Sequence, residues 1–189
     1  MGSEMCIRDS VNSNGLRTSY FWEDILKKES LSDILENYAQ VVKKKDEKTG
    51  KEKISVVWPR YHQLEVVRLL LAETRAKGVG QKFLIQHSAG SGKSNSITWL
   101  AYQLVGLLDG TEPLMDSVIV VTDRVNLDKQ IRDNIASFKR LSNLVAWADS
   151  AETLRKTLES GKKIIITIVH KFPFILETIG SAVSYTHLR

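Results

Sequence analysis

The sequence predicts an α/β fold: a parallel sheet with helices on both faces, preceded by a short helical segment. Three observations carry this. Apolar runs such as "KFLIQH", "SVIVVT" and "KKIIITIV" are continuous, not alternating. Strands buried on both faces read that way. Each run alternates with a stretch of helical period, the pattern of βα units. The run "KFLIQH" passes through the glycine-rich loop "SAGSG" into a long helical stretch. No internal repeat at a fixed period is present.

The chain has 189 residues, 42% of them hydrophobic and 26% charged. That is enough for one domain with a true core. No apolar run is long enough to span a bilayer, and no basic-then-apolar leader opens the chain. The single cysteine, Cys6, has no internal partner for a disulfide. A cytoplasmic location and no membrane association are therefore expected. The net charge of +5 and pI of about 9.3 suit a polyanionic partner such as DNA, though ordinary surfaces carry such an excess too.

Four segments are expected. Residues 1–18 and 181–189 lack periodicity. "MCIRDS" and "VSYTHLR" resemble translated sequencing-adapter read-through, so both ends are expected to be non-native, with the natural protein longer on at least one side. Residues 19–58 are expected to form a helical linker segment and a charged loop. Residues 59–180 are expected to form the start of a nucleotide-binding domain.

Within 19–58, Phe21, Trp22, Ile25 and Leu26 share one helical face. Leu31, Ile34, Leu35, Tyr38, Val41 and Val42 make a second stripe. Ser30, with Asp33 three residues on, reads as a helix cap. "KKKDEKTGKEK" is a solvated loop or hairpin, and "ISVVW" a short strand.

From Pro59 a helix runs to Gly78, begun by proline and ended by glycine. "KFLIQH" is expected to be a buried strand. "KSNSITWLAYQLVGLL" is a long helix with Ile97, Leu100, Ala101, Leu104 and Leu108 on one face. "SVIVVT" is a second strand, followed by a helix with Leu127, Ile131, Ile135 and Phe138 inward. "LVAWA" is a short strand candidate, "SAETLRKTLESG" a capped helix, and "KKIIITIV" a third strong strand.

The chemistry centres on "HSAGSGKS". It follows a strand signal and opens a helix, the setting a phosphate loop requires. Gly90 and Gly92 let the backbone turn sharply and approach a phosphate. Amides from Ser91 to Ser94 converge at a helix N-terminus, where the dipole favours anions. Lys93 is expected to reach the β- and γ-phosphates, and Ser94 to offer its hydroxyl to Mg²⁺. His87 stands where the first glycine of G-x-x-x-x-G-K-S belongs and is read as closing the end of the strand. Upstream, Gln63 sits near a helix start. Its carboxamide carries the donor and acceptor that match adenine, which favours ATP over GTP. At the strand ends, Thr122, Asp123 and Arg124, with Thr167, His170 and Lys171, stand where open parallel sheets bind ligands. Hydroxyls and cations there suit a nucleic-acid phosphate beside a phosphate loop; taken without that loop, helix capping by Thr122 or Asp123 and ordinary surface charge account for them better.

The blocks "WPRYHQLEVV", "FLIQHSAGSGKSNSI", "SVIVVTDRVNLDKQI" and "GKKIIITIVHKFPFI", in that order and spacing, closely resemble the motor (R) subunit of type I restriction–modification enzymes, a superfamily 2 helicase-like translocase. "FWEDILKKESLSDILENY" resembles the segment joining its nuclease domain to its motor. The resemblance runs from Ser19 to Ile179. It implies the first of two RecA-like motor domains. It puts Gln63, Ser88, Ala89, Gly90, Ser91, Gly92, Lys93, Ser94 and Asn95 at the nucleotide, with Lys93 and Ser94 catalytic and Ser94 on Mg²⁺. Thr122, Asp123, Arg124, Thr167 and Lys171 fall in DNA-contacting motifs. ATP and Mg²⁺ are the implied cofactors. Double-stranded DNA, a methyltransferase subunit and a specificity subunit are the implied partners. The missing first glycine marks the helicase-like branch.

Hydrolysis also needs an acidic pair after a later strand. The pair Asp46–Glu47 lies in the lysine-rich loop with no apolar strand before it. The expectation is therefore a chain that binds nucleotide weakly and turns nothing over. A small kinase and a non-catalytic DNA- or partner-binding module are the rival classes. The first would need an arginine-rich lid, which the sequence does not offer.

Overall fold

The computed structural model describes residues 19–45, 50, 52–123, 131, 145–148 and 150–171, with the backbone alone for 43–45, 53, 151 and 171. The first segment is helical: a π-helical turn Phe21–Ile25, helix α1 Lys28–Asp33, and a second π-helical turn Ile34–Tyr38. Ile34 and Tyr38 of the expected stripe point inward, against Leu64, Val67 and Trp99. Phe21, Trp22, Leu26 and Leu35 are exposed.

Two local expectations are corrected here. Ser30 and Asp33 do not cap a helix, because α1 begins ahead of them at Lys28. They hold Arg68 instead. Its guanidinium donates to Asp33 Oδ2 at 2.7 Å and 3.1 Å and to Ser30 Oγ at 3.1 Å. Val41 and Val42 do not extend the helical stripe. At Ala39 the backbone turns extended, and both valines enter strand β1, Gln40–Lys45. β-Branched side chains suit a pleated ladder better than a helix. β1 pairs antiparallel with β2, Glu52–Val57, in the register Gln40↔Val57 to Lys45↔Glu52. Most of the charged loop between them, Asp46–Glu47 included, lies outside the described residues.

Helix α2 spans Tyr61–Lys77, and Gly78 ends it with φ 74°. Pro59 precedes the N-cap, Arg60, so it stands just outside the helix rather than at its first turn. Helix α3, Lys93–Val105, follows the glycine loop and is shorter than its apolar pattern suggests. Leu108 lies beyond it, exposed, in a small hairpin of β3, Leu108–Asp109, and β4, Glu112–Pro113.

The main sheet has three parallel strands in the order β5–β7–β6: β5 Val118–Thr122, β6 Val145–Trp147 and β7 Ile164–Ile168. β7 is central and buried along its whole length. Its isoleucines each contribute roughly 1.5–3 kcal/mol relative to exposure. On one face, Ala101 of α3 packs with Val120, Ile131, Val145, Ile164 and Ile166. On the other, Leu154 of α4, Ala151–Glu159, packs with Ala148 and Ile165. Ser150 caps α4 by accepting the Thr153 amide at 3.1 Å. The α/β class, with helices on both sheet faces, is thus observed. The helix expected after β5 lies outside the described residues, apart from buried Ile131.

One strand expectation fails. Residues 81–88 form no strand, and Leu84 is 95% exposed, with Phe83 and Ile85 also exposed. A strand exists only through a ladder. Among the described residues, the three-stranded sheet is built from β5, β6 and β7 alone. A continuous apolar run signals a segment fit for burial between two neighbours. It cannot supply those neighbours.

Helix α3 joins everything else. Ile97, Ala101, Tyr102 and Val105 face the sheet, while Trp99 and Leu100 face α2 and the N-terminal segment. Trp99 is fully buried, and its indole N–H donates to the Tyr38 carbonyl at 2.9 Å.

Candidate functional site

The loop Ser88–Gly92 is shaped by two glycines with left-handed backbones, Gly90 at φ 75° and Gly92 at φ 82°. Side chains resist that region, so the sharp entry into α3 depends on them. Gly92 is the N-cap of α3. Its carbonyl accepts the Asn95 amide at 3.0 Å, the first bond of the helix. The amides of Lys93 and Ser94, in the first turn, have no carbonyl behind them within the helix. They make the positive end of the helix dipole and face outward toward the loop.

The carbonyls of this loop are held from outside. Gln63, only 3% exposed, donates through its amide nitrogen to Gly92 O at 2.9 Å and Ser91 O at 3.2 Å. Its own oxygen accepts the Arg60 amide at 2.8 Å, at the start of α2. His62 Nε2 lies 3.0 Å from the same Ser91 carbonyl. A carbonyl only accepts, so that ring nitrogen carries the proton. Lys93 folds back to donate to Ser88 O at 2.7 Å and His87 O at 3.2 Å. The His87 ring meets His62 edge to face, with centroids 5.1 Å apart. Burial, then the neighbouring His62 and Lys93, hold His87 below its ordinary pKa.

A nucleotide fits this arrangement on two observations. The Ser91 hydroxyl is buried in the loop without a hydrogen-bond partner. Space is open around Gly90, where an added Cβ would meet nothing within 4 Å. Ser94, half-buried one residue past Lys93, is the oxygen available to a cation beside a phosphate. No group of three or more His, Cys, Asp or Glu side chains gathers among the described residues.

The structure brings Gln63 together with Ser91, Gly92 and Lys93, and Ser88, Ala89, Gly90, Ser94 and Asn95 complete the same loop and helix start. The strand-end residues are not gathered in the same way. Thr122 pairs in register with Ile168, while Thr167 pairs with Val121. Successive residues alternate between sheet faces, so the two threonines point to opposite sides. Thr167 is fully buried and donates to the Ala148 carbonyl at 3.3 Å. Thr122 is buried with its hydroxyl unpartnered. Asp123 is exposed at the end of β5. Arg124 lies outside the described residues. Lys171 ends a 3₁₀ turn, Val169–Lys171, described by its backbone alone. Sequence reasoning missed His62. The signal was its place beside Gln63 at the first turn of a helix.

A glycine loop entering a helix, against a parallel sheet covered on both faces, defines an α/β nucleotide-binding domain of RecA-like type. The SWI2/SNF2 ATPase family matches residues 62–185, and the chain belongs to it. It is therefore a superfamily 2 helicase-like ATPase chain, and ATP is the nucleotide that membership implies. No curated protein matches the chain closely enough to count as a relative. No described helix is long and apolar enough to cross a membrane.

Proposed function

We propose that the chain is the ATP-gripping part of the DNA-translocating motor subunit of a type I restriction enzyme, acting in the cytoplasm in defence against foreign DNA. The single observation that carries the nucleotide half is the loop itself, with carbonyls drawn to the outside by Gln63 and Lys93. The four sequence blocks named above support the restriction-enzyme half. On this reading Gly90, Ser91, Gly92, Lys93 and Ser94 take the phosphates, with Ser88, Ala89 and Asn95 flanking them. Ser94 helps hold Mg²⁺, and Lys93 leaves its loop carbonyls for the β- and γ-phosphates. When bound, Mg²⁺ supplies charge neutralisation between phosphate oxygens.

Gln63 would read adenine by exchanging one loop carbonyl for the base, because both of its N–H groups are engaged now. Thr122, Asp123, Arg124, Thr167 and Lys171 would contact double-stranded DNA. For Thr122 and Thr167, both buried, this requires the ends of β5 and β7 to shift. Methyltransferase and specificity subunits are the proposed partners.

The test is made in the complete restriction complex carrying this sequence. Lys93→Ala should abolish DNA-stimulated ATP hydrolysis and distant DNA cleavage while leaving subunit assembly intact. Retention of both activities would sink the motor reading. ATPase without any methyltransferase or specificity partner would leave a different superfamily 2 motor.

A further inference from the structure

A phosphate loop works through its amides, and a planar trans peptide points its N–H opposite to its C=O. Whatever fixes a loop carbonyl therefore aims the next residue's amide. The Ser91 carbonyl belongs to the same peptide as the Gly92 amide. Two donors fix that carbonyl, Gln63 at 3.2 Å and His62 at 3.0 Å. A carbonyl has two lone pairs, and both are used. The His62 ring is in turn braced edge to face by His87.

We infer that His62 is a positioning residue for the phosphate loop. By donating to the Ser91 carbonyl from the first turn of α2, it aims the Gly92 amide at a bound phosphate. The inference rests on the nucleotide-site reading above and adds to it. His87 then has a use at the position where glycine is usual: its ring seats the ring of His62. His62 does not touch the reacting atoms, so its effect is on grip and alignment. Gln63 remains on the same carbonyl when His62 is lost, so the effect is partial.

Replacing His62 by phenylalanine keeps a ring against His87 and removes the donor. Replacing it by glutamine returns an N–H near the place of Nε2. Affinity for Mg²⁺–ATP and for pyrophosphate is measured on the 189-residue chain by titration calorimetry. The backbone amide shift of Gly92 is followed by NMR. His62→Phe should weaken both ligands about tenfold, the size expected for one lost hydrogen bond. It should leave adenosine binding unchanged and move the Gly92 amide. His62→Gln should recover most of the affinity and the shift. Equal affinity in the unaltered chain and His62→Phe overturns the assignment. So does an equal loss in both variants, which would reduce the ring to packing. If His62→Phe does not fold, His62→Asn, whose shorter amide cannot reach the carbonyl, carries the same comparison with His62→Gln. Failure of the unaltered chain to bind Mg²⁺–ATP overturns the nucleotide-site reading, and this assignment with it.

Discussion

Gln63 and Gly92 are fitted to one another: the Gln63 amide donates to the Gly92 carbonyl at 2.9 Å, and a Cβ at Gly92 would collide with that same amide nitrogen. The glycine serves two ends at once. Its φ of 82° turns the chain into α3, and its bare Cα admits the side chain that holds the loop.

Gly92→Ala should therefore fail twice over. An alanine in the left-handed region costs about 1–2 kcal/mol, and the displaced Gln63 loses its hold on the loop. Chemical denaturation should show that loss of stability, and Mg²⁺–ATP titration should show binding falling below detection. Gln63→Ala should share the binding defect while preserving the backbone turn. A Gly92→Ala chain as stable as the unaltered one would refute the fit described here.

His87 makes a prediction against the motif. Restoring glycine at this position completes G-x-x-x-x-G-K-S, yet it removes the ring that braces His62. Nucleotide affinity should fall by roughly 2–10-fold, the value of one aromatic pair. Stability should depend on pH through the same residue. Burial, then His62 and Lys93, lower the His87 pKa below the ordinary 6.5, so the folded chain favours the neutral ring. The stabilisation is complete above the ordinary value and is lost as pH falls through it toward the lower folded value. Denaturant midpoints between about pH 7.5 and about pH 5.5 should drop for the unaltered chain and drop less for His87→Gly. Parallel curves would show that His87 does not carry the dependence.

The Trp99 indole joins the N-terminal segment to helix α3 through the Tyr38 carbonyl, at 2.9 Å. Trp99→Phe leaves that carbonyl buried without its donor and should cost about 1–3 kcal/mol. Trp99→Ala also opens a cavity and should cost about 3–5 kcal/mol. Urea unfolding measures both. A single transition is expected in each case, since Trp99 lies in the shared core of α2, α3 and residues 34–38.

Much of the fold is legible in the sequence. The strands "SVIVVT" and "KKIIITIV" announced themselves because a doubly covered strand must be apolar throughout, and β7 is. Gly78 and Ser150 marked helix ends through local backbone chemistry. The misses share another cause. The partners of Ser30 and Asp33 depended on Arg68, far along the chain. The run "KFLIQH" had the right composition for a strand, but pairing is decided by neighbours, not by composition. At the site, the glycines, Lys93 and Gln63 followed from a short pattern. The hold of His62 on the Ser91 carbonyl arises from how α2 lies beside the loop, which no spacing rule encodes.

The central claim is that this loop grips the phosphates of ATP, and calorimetric titration of the chain with Mg²⁺–ATP, beside Lys93→Ala, tests it most directly. Lys93 is exposed but donates to the Ser88 and His87 carbonyls, so the substitution should cost about 0.5–1.5 kcal/mol of stability and leave the chain folded. The account predicts saturable binding by the unaltered chain and a loss of about 10–100-fold on removing the ammonium group, the range for hydrogen bonds to charged groups. Equal binding by the two proteins, or none by the unaltered chain, would contradict it.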